Sequence, residues 1–448
     1  PGQPGDDPHA AMLFRLIFLQ GQAADAFVIS ADQLCYGSLL ASRESDVEME
    51  EALKRLETIR ELHGRFPKTP IYLVSTIMRA SISALSRTDL PAYEAVSQWS
   101  ELCDRAEGED NDRLRQAAKE AEKRIPGPVL TRYRAVRERN HRVNCECVEL
   151  VRQGMADSLL LLVEDSAPYG FPRMEQRKLM ALSKDLDRVT VSNGTDEGGC
   201  LAVMKAVRAW AAPPRPLSVD VRYPLREDGK FIALYESQPF EDNLRQDLRY
   251  LGFQEAEDAE IVLVVCAPPD GRQGEGRDTV GEETIREMGR QVKALMDTGR
   301  KVYLLDLLRA NGGSPPLMRE LGSDLERLWG YSAWNTACNA LGTLLSQIAS
   351  DAQAGKKNEA FLCERLLDDL IYESVVRPQL NAALSAEGED VLSLRDRARA
   401  EELLRALFAG CGEPAMALIR SRGDFTVSLP WERTFEVEAL ACCAQTLS

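Results

Sequence analysis

The stretch "SLLLLVEDSAPYGFPRMEQRKL", Ser158 to Leu179, constrains the fold more than any other part of the chain. An apolar run, Leu159 to Val163, stops abruptly at Glu164, Asp165 and Ser166. A loop stiffened by Pro168, Gly170 and Pro172 follows, and then helical spacing begins. A short unbroken apolar run suits a strand buried on both faces, since neither face then carries polar residues. The same order recurs. A strand is expected over Ala26 to Ser30 in "ADAFVISADQLCYGSLLASR", another in "PIYLVSTIMRA" and another in "RVTVSNGTDEGG". Helical spacing is expected over 11–22, 47–64, 91–107, 110–153, 172–184 and 198–210. Repeated β-loop-α units predict a parallel sheet covered by helices.

"AAPPRP", Ala211 to Pro216, is the strongest linker signal. Beyond it "LSVDVRY", "FIALYES", "AEIVLVVCAPP" and "KVYLLDLL" have strand patterns, and helices over 240–252, 281–298 and 316–328 alternate with them. That rhythm predicts a doubly wound unit. After Leu344 the pattern is mostly helical, with "GDFTVSLPW" as a short strand. The expected architecture is α/β in three parts. Residues 1–212 form a parallel β/α domain, Rossmann-like or an incomplete barrel, with a long helical insertion at about 91–153. Residues 213–350 form a second Rossmann-like domain, and 351–448 a helical region.

The 448 residues carry a formal net charge of -16, which repels a phosphate backbone and argues against nucleic acid as a general partner. No apolar run is long enough to cross a bilayer, and no basic and apolar leader opens the chain. The 11 cysteines are scattered and odd in number, which points to reduced thiols and a cytoplasmic location. Cys145 and Cys147 would fall on different faces of a helix and do not make a zinc pair. The three histidines, His9, His63 and His141, show no H-x-x-x-H spacing, and there is no G-x-S-x-G elbow. "GRQGEGRDT" lacks phosphate-loop spacing and suits a flexible surface loop.

Ligands in open parallel sheets bind beyond the carboxyl ends of the strands. The residues placed there are therefore the candidates: Asp32, Tyr36 and Arg43; Ser75, Thr76 and Arg79; Glu164, Asp165 and Tyr169; Asn193, Asp196 and Glu197; and in the second unit Glu236, Asp306 and Asn311. Asp165, Asp196, Glu197 and Asp32 can share general acid and base roles, or hold a divalent cation through oxygen. The competing structural role is helix capping. Tyr36, Arg43, Arg79 and Tyr169 can bind a polar or anionic ligand, the arginines through paired hydrogen bonds, unless they serve internal ion pairs. In "WGYSAWNTACNALGTLL", Asn335 and Asn339 would share a helix face beside Thr336, as ligand contacts or as caps.

Six phrases in order, "ISADQLCYGSLLASR", "IYLVSTIMR", "VEDSAPYGFPRMEQ", "SNGTDEGG", "AWNTACNALGT" and "LPWERTFEVE", resemble an uncharacterised bacterial domain-of-unknown-function family, the one numbered 4127. The resemblance covers nearly the whole chain and implies important positions rather than a reaction. They fall on Asp32, Tyr36, Gly37, Arg43, Ser75, Thr76, Arg79, Asp165, Pro168, Tyr169, Gly170, Gly194, Asp196, Glu197, Trp334, Asn335, Thr336 and Asn339. Compared with the family pattern, an opening strand segment is missing, Ser166 stands where a second aspartate is usual, and Ser38 where a glycine is usual.

The leading expectation is a hydrolase acting on a small polar metabolite or sugar, with strand-end carboxylates as acid and base and no cofactor required. The rivals are a Mg²⁺- or Mn²⁺-dependent enzyme using the same acids, and a ligand-binding or regulatory protein without turnover.

Overall fold

The computed structural model describes residues 21–83, 87–211 and 216–443. Most of the helix expected over 11–22, the opening loop with His9, and the middle of the linker lie outside these residues. The chain divides into two compact units. One holds the residues up to 211 together with Tyr235–Gln238, the other 216–234 and 239–443.

In the first unit the strands β1 (Phe27–Ser30), β2 (Ile71–Ile77), β3 (Ser158–Val163) and β4 (Val189–Asn193) pair in sequential order, all parallel. All of β2 and β3 is buried. One face carries Ile71, Leu73, Ile77, Leu159, Leu161 and Val163. It packs against Leu56, Ile59 and Leu62 of the helices α3 (Met49–Leu56) and α4 (Thr58–Arg65), and against Val143 and Cys147 of α7 (Gly127–Arg152). Each such leucine contributes roughly 1.5–3 kcal/mol by leaving water. The other face receives α9 (Gly198–Trp210) so closely that a Cβ on Gly198 would stand 2.5 Å from Leu162 and 2.8 Å from Val74. Before β2, α1 (Ala31–Tyr36) and α2 (Ala41–Glu44) follow β1 directly.

The insertion between β2 and β3 holds α5 (Leu90–Gly108), α6 (Asp112–Glu122) and α7. The sequence expectation of one helical stretch over 110–153 fails between Glu122, where α6 ends, and Gly127, where α7 begins after Pro126. Trp99, Tyr133 and Phe171 close a small core there, with the Trp99 and Phe171 ring centroids 4.8 Å apart. Phe171 begins α8 (Phe171–Leu182).

The second unit holds β5 (Leu217–Arg222), β6 (Phe253–Glu255), β7 (Ile261–Cys266), β9 (Lys301–Asp306) and β11 (Gly330–Ser332). They are parallel and ordered β11-β9-β7-β5-β6, while β8 (Gly274–Glu275) and β10 (Arg309–Ala310) make a separate pair. Counted along the sheet, the five strands follow the 2-1-3-4-5 doubly wound order, whose switch point lies between β5 and β7. Helices cover both faces. Val262, Val264, Val302 and Leu304 pack on Met288 and Val292 of α11 (Glu282–Asp297). On the other face the Tyr303 hydroxyl donates to Asp351 of α13 (Ala337–Ala354) at 3.0 Å. Between these strands also run α10 (Phe240–Leu251) and α12 (Pro315–Leu321).

The helices beyond Glu359 add Leu362, Leu366, Tyr372, Leu404 and Phe408 to the same core. Among them Leu366–Val376 winds as a π-helix. "GDFTVSLPW" does supply a strand, Gly423–Ser428, paired antiparallel with Glu438–Cys443.

"FIALYES" is not a strand. Phe231 stacks on Phe240 at 5.3 Å, and Tyr235 holds φ 67, a left-handed backbone that a strand excludes. The "GRQGEGRDT" loop is pinned rather than free: Gly274–Glu275 pairs with Arg309–Ala310, and Arg309 bridges Asp278 at 2.6 Å.

Candidate functional site

The carboxyl rim of the four-stranded sheet gathers the strand-end residues. Ser30 ends β1 and caps α1 by accepting from the Gln33 amide at 3.2 Å. Asp32 therefore sits in the first turn of α1, buried, and reaches across to β2, where the Thr76 amide donates to its Oδ2 at 3.0 Å. Behind that contact Ser75 donates to Asn144 at 2.6 Å, and Asn144 donates to the Thr76 carbonyl at 3.1 Å. Helix α7 thus fixes the end of β2. It also supplies Arg137, which donates to the carbonyls of Met78 and Arg79 and pairs with Glu175 at 2.8 Å.

Glu164 is the hub of the rim. It follows β3 directly and is buried, with Arg43 of α2 donating to Oε1 at 2.7 Å. The Arg79 Nε lies 3.3 Å from the same oxygen, and the Arg79 amide donates to Oε2 at 3.4 Å. Arg79 pairs with Asp165 as well. Asp165 is partly open to solvent and holds φ 30, a backbone that costs a non-glycine residue about 1–3 kcal/mol.

Two acids on this rim experience opposite surroundings. Burial pushes Asp32 up to about 7, and the negative charge of Glu164 adds to the rise against the pull of the Thr76 hydrogen bonds. Burial also acts to raise Glu164, but Arg43 and then Arg79 outweigh it and hold that carboxyl below its ordinary range. Asp32 therefore holds its proton to a higher pH than Glu164 does.

The other candidates have distinct placements. Tyr36 is buried, with the Arg139 guanidinium 4.4 Å from its ring centroid. Tyr169 is half-exposed beneath Arg105. Neither Asp165 nor Asp196 caps a helix: Gly170 precedes α8 and Glu197 precedes α9, both without a side-chain cap. Asp196 is exposed, whereas Glu197 is buried and accepts from the Thr195 amide at 2.9 Å. Gly194, at φ 116, is required beside it, since a Cβ there would lie 1.7 Å from the Glu197 carboxylate. Asn193 donates to Ser166 at 2.7 Å and to Ser237 at 3.1 Å. Ser237 and buried Glu236 extend this rim from a phrase expected to be a strand.

Asn335, Thr336 and Asn339 belong to the second unit. Thr336 is a cap, accepting from the Asn339 amide at 3.3 Å. Asn335 precedes the helix at φ 66, so it does not share a helix face with Asn339, and its carbonyl accepts from the Asn311 amide at 3.0 Å. On this sheet's rim Asp306 accepts from Ser314 at 2.7 Å, Leu308 at 3.2 Å and Tyr331 at 3.2 Å; burial pushes it up to about 6.

The π-helix brings further acids that carried no functional expectation. Asp369 accepts from the Ala333 amide at 2.8 Å and pairs with Arg365 at 2.9 Å; Glu373 pairs with Arg377 at 2.5 Å. Burial pushes Asp368 up to about 7 and Glu373 well above its ordinary range. The signal was available in "LLDDLIYESVV", where acids interrupt an otherwise apolar helical run, because carboxylates are rarely buried without partners.

Among the described residues no group of three His, Cys, Asp or Glu side chains is placed to hold a metal ion. The ten cysteines from Cys35 to Cys442 are unbridged, and no described helix is long and apolar enough to cross a membrane.

The model of a family described as "Protein of unknown function (DUF4127)" matches residues 8–439. The chain belongs to that family. No curated protein and no solved structure matches it. Membership in DUF4127 carries no reaction, so function rests on the chemistry of the rim.

Proposed function

We propose that the carboxyl rim of the first unit is an acid–base site that hydrolyses a small polar metabolite or sugar. The observation that carries this is the divergence of two neighbouring carboxyls: Asp32 is pushed up to about 7 while Glu164 is held low by Arg43 and Arg79. A carboxyl raised in this way is suited to act as the acid near neutral pH, while the lowered Glu164 fixes the arginines beside it. Asp32 gives its proton to the leaving oxygen of the substrate. Asp165, paired with Arg79 and partly open to solvent, takes a proton from the attacking water. Glu164 keeps Arg43 and Arg79 in place, and Arg79 and Tyr169 orient the substrate. Asp196, exposed after β4, is the alternative base. Glu197 holds the loop beside it.

A second use of the same rim, ligand binding without turnover, draws support from the shallow exposure of Asp32, at 6%. A panel of p-nitrophenyl glycosides and esters separates the two. Hydrolysis of a panel member, reduced about 10²–10⁴-fold in Asp32→Asn and in Asp165→Asn with melting temperature preserved, supports the hydrolase. Full turnover in both variants contradicts it.

A further inference from the structure

The second unit holds a cleft at the place where its own topology would put a ligand. A cleft of about 510 Å³ is lined by Tyr223, Leu225, Arg226 and Glu227, which follow β5, by Pro269, which follows β7, and by Gln291 of α11. β5 and β7 are neighbours whose next strands run in opposite directions along the sheet, so this is the switch point. Crossover helices leave to opposite faces there and open a crevice. At its edge Leu225 holds φ 63, a left-handed backbone that costs a leucine about 1–2 kcal/mol.

Arg226 is held by carbonyls and a ring rather than by a carboxylate, as Arg139 also is. Its Nε donates to the Asp228 carbonyl at 3.2 Å, and its Nη1 donates to the carbonyls of Pro268 at 3.0 Å and Pro269 at 2.7 Å. Its guanidinium carbon stands 4.9 Å from the Phe231 ring centroid. The Asp228 carboxylate is taken by Lys230 at 3.0 Å. Carbonyl dipoles and a ring face fix the guanidinium with no carboxylate bonded to it, although the Asp228 charge acts on it from nearby. An arginine has five N–H donors, and these contacts use those of Nε and Nη1. The pair on Nη2 has no protein acceptor among the described residues.

We propose that this cleft binds a small polar molecule through a phosphate or carboxylate group accepted by Nη2 of Arg226. A preset guanidinium with no carboxylate bonded to it matches an oxyanion in charge and in donor geometry. Glu227 and Gln291 offer an acceptor and an amide for hydroxyl groups on the same molecule. The segment from Tyr223 to Glu227 is thereby tied to the residues after β7 and walls the crevice.

Titration calorimetry of the full chain at low ionic strength tests this with inorganic phosphate, ribose 5-phosphate, gluconate and ribose. At least one of the three anions should bind with a Kd at or below about 1 mM, and ribose should not. The phosphate probes and gluconate distinguish the two anion classes. Arg226→Met should weaken binding about 10–100-fold. Because Arg226 also ties two loops, Gln291→Trp provides a second variant, which fills the cleft and leaves the carbonyl contacts intact. It should remove binding without lowering the melting temperature. Asp32→Asn should leave this binding unchanged, which separates it from the hydrolase proposal. Absence of binding by every anion up to about 10 mM, or unchanged affinity in both cleft variants, would overturn the assignment.

Discussion

The two parallel sheets each place a buried aspartate at the carboxyl end of the sheet, both are raised by burial and one neighbouring acid, and they differ in what else surrounds them. Asp32 accepts from the Thr76 amide and stands beside the ionised Glu164, so burial and a like charge both raise it. Asp306 accepts from two amides and a tyrosine hydroxyl, and there too burial raises it most, with the negative charge of Asp278 adding to the rise. The first has a reactive neighbourhood: an arginine-anchored carboxylate and a partly open Asp165. The second is closed in by its own loop, where a Cβ on Gly313 would lie 1.8 Å from the Tyr331 hydroxyl. The fold rule delivers acids to both rims, but only the surroundings separate a working acid from a structural one.

The sharpest way to break this comparison is to neutralise each aspartate in turn. Asp32→Asn should lower turnover of a p-nitrophenyl substrate about 10²–10⁴-fold, while Asp306→Asn should leave it within about twofold. Equal losses in steady-state rates would erase the distinction.

The next effect is on stability. Glu164→Gln leaves Arg43 and Arg79 without their shared carboxylate and should cost about 3–5 kcal/mol in urea unfolding. Asp306→Asn keeps a side-chain acceptor for its loop and should cost about 1–2 kcal/mol.

A pH series sharpens the contrast further. Asp32 binds a proton in the folded state up to about 7, whereas the unfolded chain releases it near the ordinary carboxyl value. The stability it contributes is therefore full at low pH and lost as pH rises through about 7. Asp306 gives the same sign over a shorter window ending near 6. Subtracting the Asp32→Asn series from the wild type should reveal a falling component between those limits, and a flat difference would contradict it. Glu164 should give the opposite sign, with stability lost on acidification.

The smallest effect concerns the loop after β4. Gly194→Ala should cost about 1–3 kcal/mol, because the new Cβ meets Glu197 and the backbone is left-handed. Thermal unfolding reads it directly.

Much of the framework was legible because buried parallel strands announce themselves. Leu159–Val163 and Ile261–Cys266 are apolar runs too short for helices, and polar residues mark where they stop. The short strands Phe253–Glu255 and Gly330–Ser332 have too few residues to show a period. "FIALYES" shows the right alternation but satisfies it by ring stacking instead of strand pairing. At the site, the placement of Asp32 at a strand end was legible, and its neutrality was not. That depends on burial by the folded rim and on Glu164, whose partners Arg43 and Arg79 come from two other segments. Glu164 itself looked like one acid among several, since nothing local reveals an ion pair spanning 121 residues. The buried acids of Leu366–Val376 were overlooked because π-helical winding leaves no distinct period in a sequence.

The claim that a protonated carboxyl works on the first rim has a direct spectroscopic test. Infrared difference spectra of the wild type and Asp32→Asn, recorded across a pH series, isolate the carbonyl stretch of that one carboxylic acid. A band lost with a midpoint near 7 in the wild type, and missing from the variant, is the predicted result. Identical spectra from the two proteins at every pH above the ordinary carboxyl range would show Asp32 ionised throughout and would contradict its role as the acid.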